Sequence, residues 1–198
     1  MFGFPTQLKY TLAPLCFFAV IIAFEILKPA SSELLGFYPD KILEGEVWRL
    51  VTGQMMHTNF NHMLLNLAGL TLVWALHGEY YQAKHYAYLV LASLLSVGLG
   101  LILFADYQNY AGLSGIIHTM LIYGSCIDLL NKDKTGWLII IGLFVKVAYE
   151  NLIGASEATK ALIEANVAVE AHLIGLICGL ILVSIYHLDR NKKKVLGK

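Results

Sequence analysis

The sequence predicts an all-α polytopic membrane protein, a bundle of six transmembrane helices. Hydrophobic residues make up 58% of the 198 residues and charged residues only 14%, whereas charged residues are about a quarter of a typical soluble chain. The mean hydropathy is correspondingly high, at +0.64. A helix needs about 20 mostly apolar residues to cross a bilayer, and six stretches come close to this length: residues 10–27, 60–76, 87–104, 114–130, 137–153 and 167–186.

These stretches follow one another without a linker or a second domain, so residues 1–198 are predicted to form a single membrane domain. The first stretch lacks the small-residue cleavage site of a signal peptide and is expected to stay in the protein. Lys146 and Glu150 interrupt the fifth, which makes it the least regular. The one long connection, residues 28–56, contains EVWRLVTGQ, and long loops of this kind are often functional.

The loop charges predict an orientation. With six crossings, one side receives Lys9, Lys84, Lys132, Lys134, Arg190, Lys192, Lys193, Lys194 and Lys198. The other side receives Lys28, Lys41, Arg49 and Lys160 among many acids, including Glu33, Asp40, Glu44 and Glu46. Because cytoplasmic loops carry the excess of Lys and Arg, both termini are expected in the cytoplasm.

Composition also argues against several classes of function. The net charge of zero gives no electrostatic sign of nucleic-acid binding. Cys16, Cys126 and Cys178 all lie in apolar runs, which argues against a disulfide framework and a cysteine zinc site. We therefore expect neither a cofactor nor a metal.

Polar residues inside apolar helices are costly and by default mark a functional site. A first cluster lies in HTNFNHMLLNLAG, where His62 and Asn66 are four residues apart and share a helix face. His57 is expected at or before the helix start, which Asn59 or Asn61 would cap. The alternative role for this cluster is hydrogen bonding between helices.

A second cluster is Gly112-Leu113-Ser114-Gly115 at the start of the fourth stretch. Gly112 permits a tight turn, and Gly115 permits close approach of another backbone. Ser114 would lie at a helix N-terminus, where unpaired N–H groups and the helix dipole favour developing negative charge. A packing seam of small residues is the alternative.

A third cluster, EAHLIGLICG, lies in the sixth stretch. Gly175 and Gly179 follow His172 at i+3 and i+7 and leave a stripe almost free of side chains beneath the imidazole. This stripe lets the sixth helix press against a neighbour, and Gly115 makes the fourth helix the natural partner. A single buried histidine is more often structural, but its coincidence with the other clusters favours a site.

Together these residues resemble the rhomboid family of intramembrane serine proteases. The resemblance covers nearly all of the chain, and each motif is weak alone but the ordered set is specific. In order, the motifs are Trp48-Arg49, the H-x4-H-x3-N pattern of His57, His62 and Asn66, the G-x-S-G motif from Gly112 to Gly115, and A-H-x2-G-x3-G with Ala171, His172, Gly175 and Gly179.

The resemblance implies a six-helix rhomboid-like bundle and an endopeptidase that acts through an acyl-enzyme. Ser114 would be the nucleophile and His172 the general base. His62 and Asn66 would donate to the oxyanion together with the Ser114 backbone N–H. No carboxylate is expected to orient His172, because Glu170 lies about 200° around the helix, so the site is predicted to be a dyad.

The resemblance further gives His57 a site-shaping role and Trp48-Arg49 a scaffold role. It implies membrane-anchored protein substrates, with the site open to the outer side of a bacterial inner membrane. Two positions depart from the family pattern: His118 replaces a common aromatic residue four positions after the serine, and Thr119 replaces a usual glycine. The His118 spacing resembles the rhombosortase branch, whose members are thought to trim C-terminal GlyGly-containing sorting tails.

Other roles fit the sequence less well than this hypothesis. His118 is a rival base, but a base one turn deeper on the same helix reaches the serine poorly, so we expect it to pack on His172 or to hydrogen-bond within the bundle. A metal enzyme using the histidines lacks the usual H-E-x-x-H spacing. A catalytically silent rhomboid-like chaperone or scaffold would lack the serine or the histidine, and a transporter should show an inverted repeat.

Overall fold

The structure is a computed structural model that describes residues 4–195; Lys198, counted above for the orientation, lies outside them. Within this range the chain forms six long and four short α-helices and no β-strand. In chain order they are α1 (Leu8–Ile26), α2 (Ala30–Leu35), α3 (Pro39–Leu43), α4 (Arg49–Thr52), α5 (Phe60–His77), α6 (Ala83–Phe104), α7 (Ser114–Leu130), α8 (Thr135–Ile153), α9 (Glu157–Ile163) and α10 (Val169–Val195).

Each of the six apolar stretches falls on one long helix, so the all-α prediction is confirmed. Four described helices are long and apolar enough to cross a membrane: α1, α6, α8 and α10 from Val169 to Lys192. Of the other two, α7 is apolar but has only 17 residues, and α5 carries His62, Asn66 and His77 among its apolar residues. The two long helices that are not long and apolar enough by this measure are α7, which carries Ser114, and α5, which carries His62 and Asn66, the proposed oxyanion donors.

The central helix of the bundle is α7, which packs against α5, α6, α8 and α10. Its side chains are buried on all sides, and Ile116, Met120 and Ile122 are completely inaccessible. The outer helices instead expose large apolar side chains: Leu15 of α1 is 60% exposed and Leu152 of α8 85%. An apolar exterior of this extent suits contact with lipid rather than with water.

Helices α7 and α10 meet backbone to backbone. A Cβ atom built on Gly175 would lie 2.1 Å from the carbonyl oxygen of Gly115, and one on Gly179 would lie 2.6 Å from that of Thr119. The Thr119 hydroxyl donates to the carbonyls of Gly175 (2.9 Å) and Gly115 (3.1 Å) and so links the two helices. The expected partnership of the fourth and sixth helices is therefore present, and it fixes the separation of their first turns.

The long connection between α1 and α5 folds around one buried cation. Arg49, only 3% exposed, donates to the carbonyls of Gly36 (2.8 Å) and Glu33 (2.9 Å) and to the carboxylate of Glu46 (2.5 Å). Neighbouring Trp48 donates its indole N–H to the carbonyl of Leu34 at 3.1 Å. Trp48 and Arg49 thus join the short helices α2 and α4.

Candidate active site

Ser114 and His172 lie in hydrogen-bond contact at one end of the bundle. Ser114 is the first residue of α7, and His172 lies in the first turn of α10. The distance from Ser114 Oγ to His172 Nε2 is 2.8 Å. Since 58 residues separate them in the chain, the glycine contact between α7 and α10 is what brings them together.

The turn before Ser114 requires glycine. Gly112 has a φ of 117°, which side chains rarely tolerate. A Cβ atom there would also lie 2.8 Å from the Nε2 atom of His62. The turn therefore brings the backbone that leads into Ser114 directly against the His62 ring.

A carboxylate contacts His172, contrary to the sequence prediction. Glu150, in the last turn of α8, places Oε2 2.7 Å from His172 Nδ1. Glu170 does lie elsewhere, as expected, and accepts a hydrogen bond from the Tyr107 hydroxyl. The prediction of a histidine without a carboxylate partner was wrong because it considered only the helix that carries His172.

His118 packs flat on the catalytic candidate. Its ring lies 4.2 Å from that of His172, with planes only 16° apart. Its Nδ1 atom is 2.7 Å from the Ser114 carbonyl oxygen, so this nitrogen carries the hydrogen and donates. His118 therefore supports the face of the His172 ring, as expected of a packing residue.

His62 and Asn66 lie together on α5 beside the start of α7. Both are buried, and the Asn66 amide donates to the His62 carbonyl at 3.2 Å. The Thr58 backbone N–H points to His62 Nδ1 at 3.4 Å, and the Thr58 hydroxyl lies 3.0 Å from the same atom. Nε2 lies on the opposite side of the ring and faces Gly112.

The start of α5 is capped by Asn59, one of the two predicted candidates, whose side chain accepts from the His62 N–H at 2.8 Å. Thr58 and Asn59, the two residues before α5, also hold α9 over the site. Thr58 donates to the Ile163 carbonyl (2.5 Å) and Asn59 to the Leu162 carbonyl (3.1 Å). This short helix therefore covers the end of the bundle that contains Ser114.

His57 packs against the ring of His62. It is only 3% exposed, and its ring meets that of His62 edge-on with centroids 5.1 Å apart. Burial, with the nearby His62 and Lys28, lowers the pKa of His57 to about 3, so its ring is neutral at physiological pH. Its backbone carbonyl accepts a hydrogen bond from Lys28 at 2.6 Å.

A cavity of about 330 Å³ opens beside Ser114. Thr58 and His62 line it on the α5 side, and Tyr107 and Tyr110 on the side of the loop before α7. Several of its other lining residues are small, namely Ala111, Ala165 and Ala168. Its size is at the lower end of the range for ligand pockets, which suits a short, narrow segment of a polypeptide.

The histidines are poorly arranged for a metal ion. Among the described residues, the group whose ligand atoms lie within 4.8 Å of one another is His118, Glu150 and His172. It is not the set of histidines that a metal enzyme was considered to use, which comprises His57, His62, His118 and His172. An imidazole donates its lone pair in the plane of the ring, and the His118 and His172 rings are stacked almost in parallel. One ion could not lie in both ring planes without a large rearrangement.

Residues 44–189 match the family model described as the Rhomboid domain. The chain belongs to the rhomboid family. Rhomboids are in general intramembrane serine proteases. A comparison with curated proteins found no match. In this rhomboid the matched segment includes Ser114, His172, His62 and Asn66, as well as Glu150.

Three contacts of this rhomboid site were not predicted: those of Glu150, Thr119 and Thr58. A signal existed for Glu150, since a carboxylate inside an apolar stretch is costly and needs a partner. Thr119 was noted only as a departure from the family pattern, although its hydroxyl joins α7 to α10. Nothing in the local sequence indicates that Thr58 contacts α9, because that contact joins residues more than 100 positions apart.

Proposed function

We propose that this rhomboid is an intramembrane serine endopeptidase with Ser114 as the nucleophile and His172 as the general base. The observation that carries the proposal is the 2.8 Å contact between Ser114 Oγ and His172 Nε2. A serine hydroxyl is a weak nucleophile until a neighbouring base accepts its proton. His172 is a base in direct hydrogen-bond contact with the hydroxyl.

The reaction has two halves. Ser114 Oγ attacks the scissile carbonyl carbon while its proton passes to His172 Nε2, which then gives that proton to the leaving amine. Water next attacks the acyl-enzyme and loses a proton to His172. When the ester bond breaks, this proton returns to Ser114, and the enzyme is restored with a new carboxyl end on the released fragment.

The negative oxygen of the tetrahedral intermediate needs donors on the side facing α5. The amide of Asn66, Nε2 of His62 and the backbone N–H of Ser114 are proposed for this role. No side chain caps the start of α7, so the helix dipole and its first N–H groups are available there. Loss of one such donor typically lowers the rate about 10²- to 10³-fold.

The proposed arrangement in the membrane is a single domain, residues 1–198, with α1, α5, α6, α7, α8 and α10 crossing the bilayer. Both termini would lie in the cytoplasm of a bacterium, and Ser114 would face the outer side of the inner membrane. The distribution of Lys and Arg among the loops supports this orientation. The cavity beside Ser114 would then receive water and substrate from the outer side.

The proposed substrates are membrane-anchored proteins with small or helix-weakening residues near the outer face, because a peptide bond inside a regular helix is shielded. The small residues of the cavity support narrow side chains at the cleavage site. The position of His118, four residues after Ser114, is the feature that supports the rhombosortase branch, whose substrates would be C-terminal GlyGly-type sorting tails.

The proposal is tested by labelling the detergent-solubilised protein with a fluorophosphonate. The wild type is expected to react, and the Ser114→Ala and His172→Ala variants are expected to lose labelling while keeping their thermal unfolding transitions. Labelling should also resist chelators, since the chemistry proposed uses no metal. Wild-type labelling of Ser114→Ala, or a wild type that does not react, would instead favour a silent scaffold.

A further inference from the structure

We infer that Glu150 is a positioning residue for the general base, so that the site works as a triad of Ser114, His172 and Glu150. This inference rests on the proposed function and deepens it. The sequence alone pointed to a serine and a histidine without a carboxylate. The contact that changes this view comes from α8, a helix that carries none of the motif residues.

The two nitrogens of His172 have different partners. Nδ1 lies 2.7 Å from Glu150 Oε2, and Nε2 lies 2.8 Å from Ser114 Oγ. An ionised carboxylate can only accept hydrogen bonds, so the ring hydrogen belongs on Nδ1. The lone pair of Nε2 then faces the serine hydroxyl, which is the tautomer that a general base requires.

Glu150 is itself held in place by a cation. Lys146, one helical turn earlier on α8, lies 2.7 Å from the same Oε2 atom. The side chain of Glu150 is 14% exposed and that of Lys146 45%, so the carboxylate lies inside and the ammonium group at the rim. A carboxylate largely removed from water needs such a partner, and Lys146 provides it without displacing the contact with His172.

Other charged or titratable groups lie near His172 on α7, α5, α8 and α10. His118 of α7 stacks on the ring, and His62 of α5 lies within electrostatic range. Lys146 Nζ is 3.5 Å from Nδ1, a poor contact because both groups are donors. Glu170, on the helix of His172, is engaged by Tyr107. Glu150 therefore provides the anionic hydrogen-bond acceptor for this ring.

The role follows from the charge that develops during the reaction. When Ser114 loses its proton, His172 becomes an imidazolium, and a carboxylate on its far side stabilises that charge while keeping the ring oriented. Glu150 does not need to accept the proton. The positive charge of Lys146 opposes formation of the imidazolium. Glu150 and Lys146 therefore together determine how readily His172 accepts a proton.

The test uses Glu150→Gln and Lys146→Met, with Glu170→Gln as a control that makes the same substitution beside His172 but away from its ring. Cleavage of a membrane-anchored reporter protein and fluorophosphonate labelling are followed across pH. Glu150→Gln should lower kcat by about 10²-fold, within the range of general-base contributions, with little change in KM. Glu150→Asp, which keeps the charge at a longer reach, should recover part of the loss.

The pH profiles separate a positioning role from a structural one. The acid limb, where the base becomes protonated, should move to lower pH in Glu150→Gln, because the imidazolium loses its anionic partner. It should move to higher pH in Lys146→Met, because a repelling charge is removed. Glu170→Gln should move the limb less than Glu150→Gln does, because Glu170 acts on His172 through its charge alone and is hydrogen-bonded to Tyr107 instead of to the ring.

Unchanged acid limbs in Glu150→Gln and Lys146→Met, or limbs displaced in the same direction, would overturn the inference. An undiminished kcat in Glu150→Gln would do so as well. These outcomes leave the proposed function standing as long as Ser114→Ala remains inactive. Activity in Ser114→Ala would instead remove the proposed function, whatever the profiles show.

Discussion

Each side chain proposed to take part in the reaction of this rhomboid lies near the end of a different helix. Ser114 begins α7, His172 lies in the first turn of α10, His62 in the first turn of α5, and Glu150 in the last turn of α8. Side chains at helix ends can be polar without interrupting the apolar middle of a bundle. The site can therefore be wet while the rest of the helices remains suited to lipid.

The first prediction at the residue scale concerns Asn66. Asn66→Ala should lower kcat about 10²- to 10³-fold with little change in KM, because the amide is proposed to donate to the oxyanion in the transition state. Steady-state cleavage of a reporter substrate measures this effect. Asn61 is an exposed asparagine in the first turn of the same helix, and Asn61→Ala should behave like the wild type. Equal losses of kcat in both variants would contradict the role of Asn66.

The residues of the site differed in how far the sequence revealed them. Ser114, His172, His62 and Asn66 were predicted because each lies in a short motif that resembles a rhomboid motif. Glu150 was not found, because its contact depends on how α8 is rotated and shifted against α10. That register results from packing of buried residues such as Leu143 and Val147 of α8 with Leu176 of α10, which no local pattern reveals.

At the scale of helices, the contact between α7 and α10 determines whether Ser114 and His172 can meet. Gly115, Gly175 and Gly179 remove the side chains that would keep the backbones apart, and Thr119 adds a hydrogen bond across the gap to the Gly175 carbonyl. A glycine stripe of this kind gives no chemistry of its own. Its effect is to hold two distant chain segments at a fixed separation.

We therefore predict that Gly175→Ala inactivates the enzyme. Its Cβ atom would lie 2.1 Å from the Gly115 carbonyl oxygen, so the helices must separate, and a displacement of about 1 Å can cost about 10²-fold in rate. Fluorophosphonate labelling should show the loss of reactivity, and thermal unfolding should show the loss of stability. Gly142→Ala on α8, where a Cβ atom meets nothing within 4 Å, is the matched control and should raise helix stability by about 0.5–1 kcal/mol. Wild-type labelling of Gly175→Ala would show that the close contact is dispensable.

Most of the helices could be predicted from hydropathy alone. The long apolar stretches gave α1, α6, α7, α8 and α10 almost directly, since an apolar run of this length has few other structures available in a membrane. The short helices α2, α3, α4 and α9 could not be predicted in this way. They are too short for a periodic pattern, and long-range contacts hold them, such as those of Arg49 with the carbonyls of Gly36 and Glu33.

At the scale of the whole molecule, the proposed orientation leads to a labelling prediction. In a background with Cys16, Cys126 and Cys178 replaced by alanine, Glu44→Cys should react with a membrane-impermeant maleimide in intact cells. Lys134→Cys should react only after permeabilisation, because the loop between α7 and α8 is assigned to the cytoplasm. Both positions are exposed. The reverse pattern would invert the topology and place the site on the cytoplasmic side.

The direct backbone contact of α7 with α10 also bears on how the protein responds to its bilayer. Helices adapt to thicker or thinner membranes chiefly by tilting. Because these two touch without intervening side chains, they should tilt as one rigid body, and the geometry of the reacting atoms should be preserved. A change in lipid chain length should then alter how readily substrates arrive at the enzyme, rather than the rate at which a bound peptide is cut.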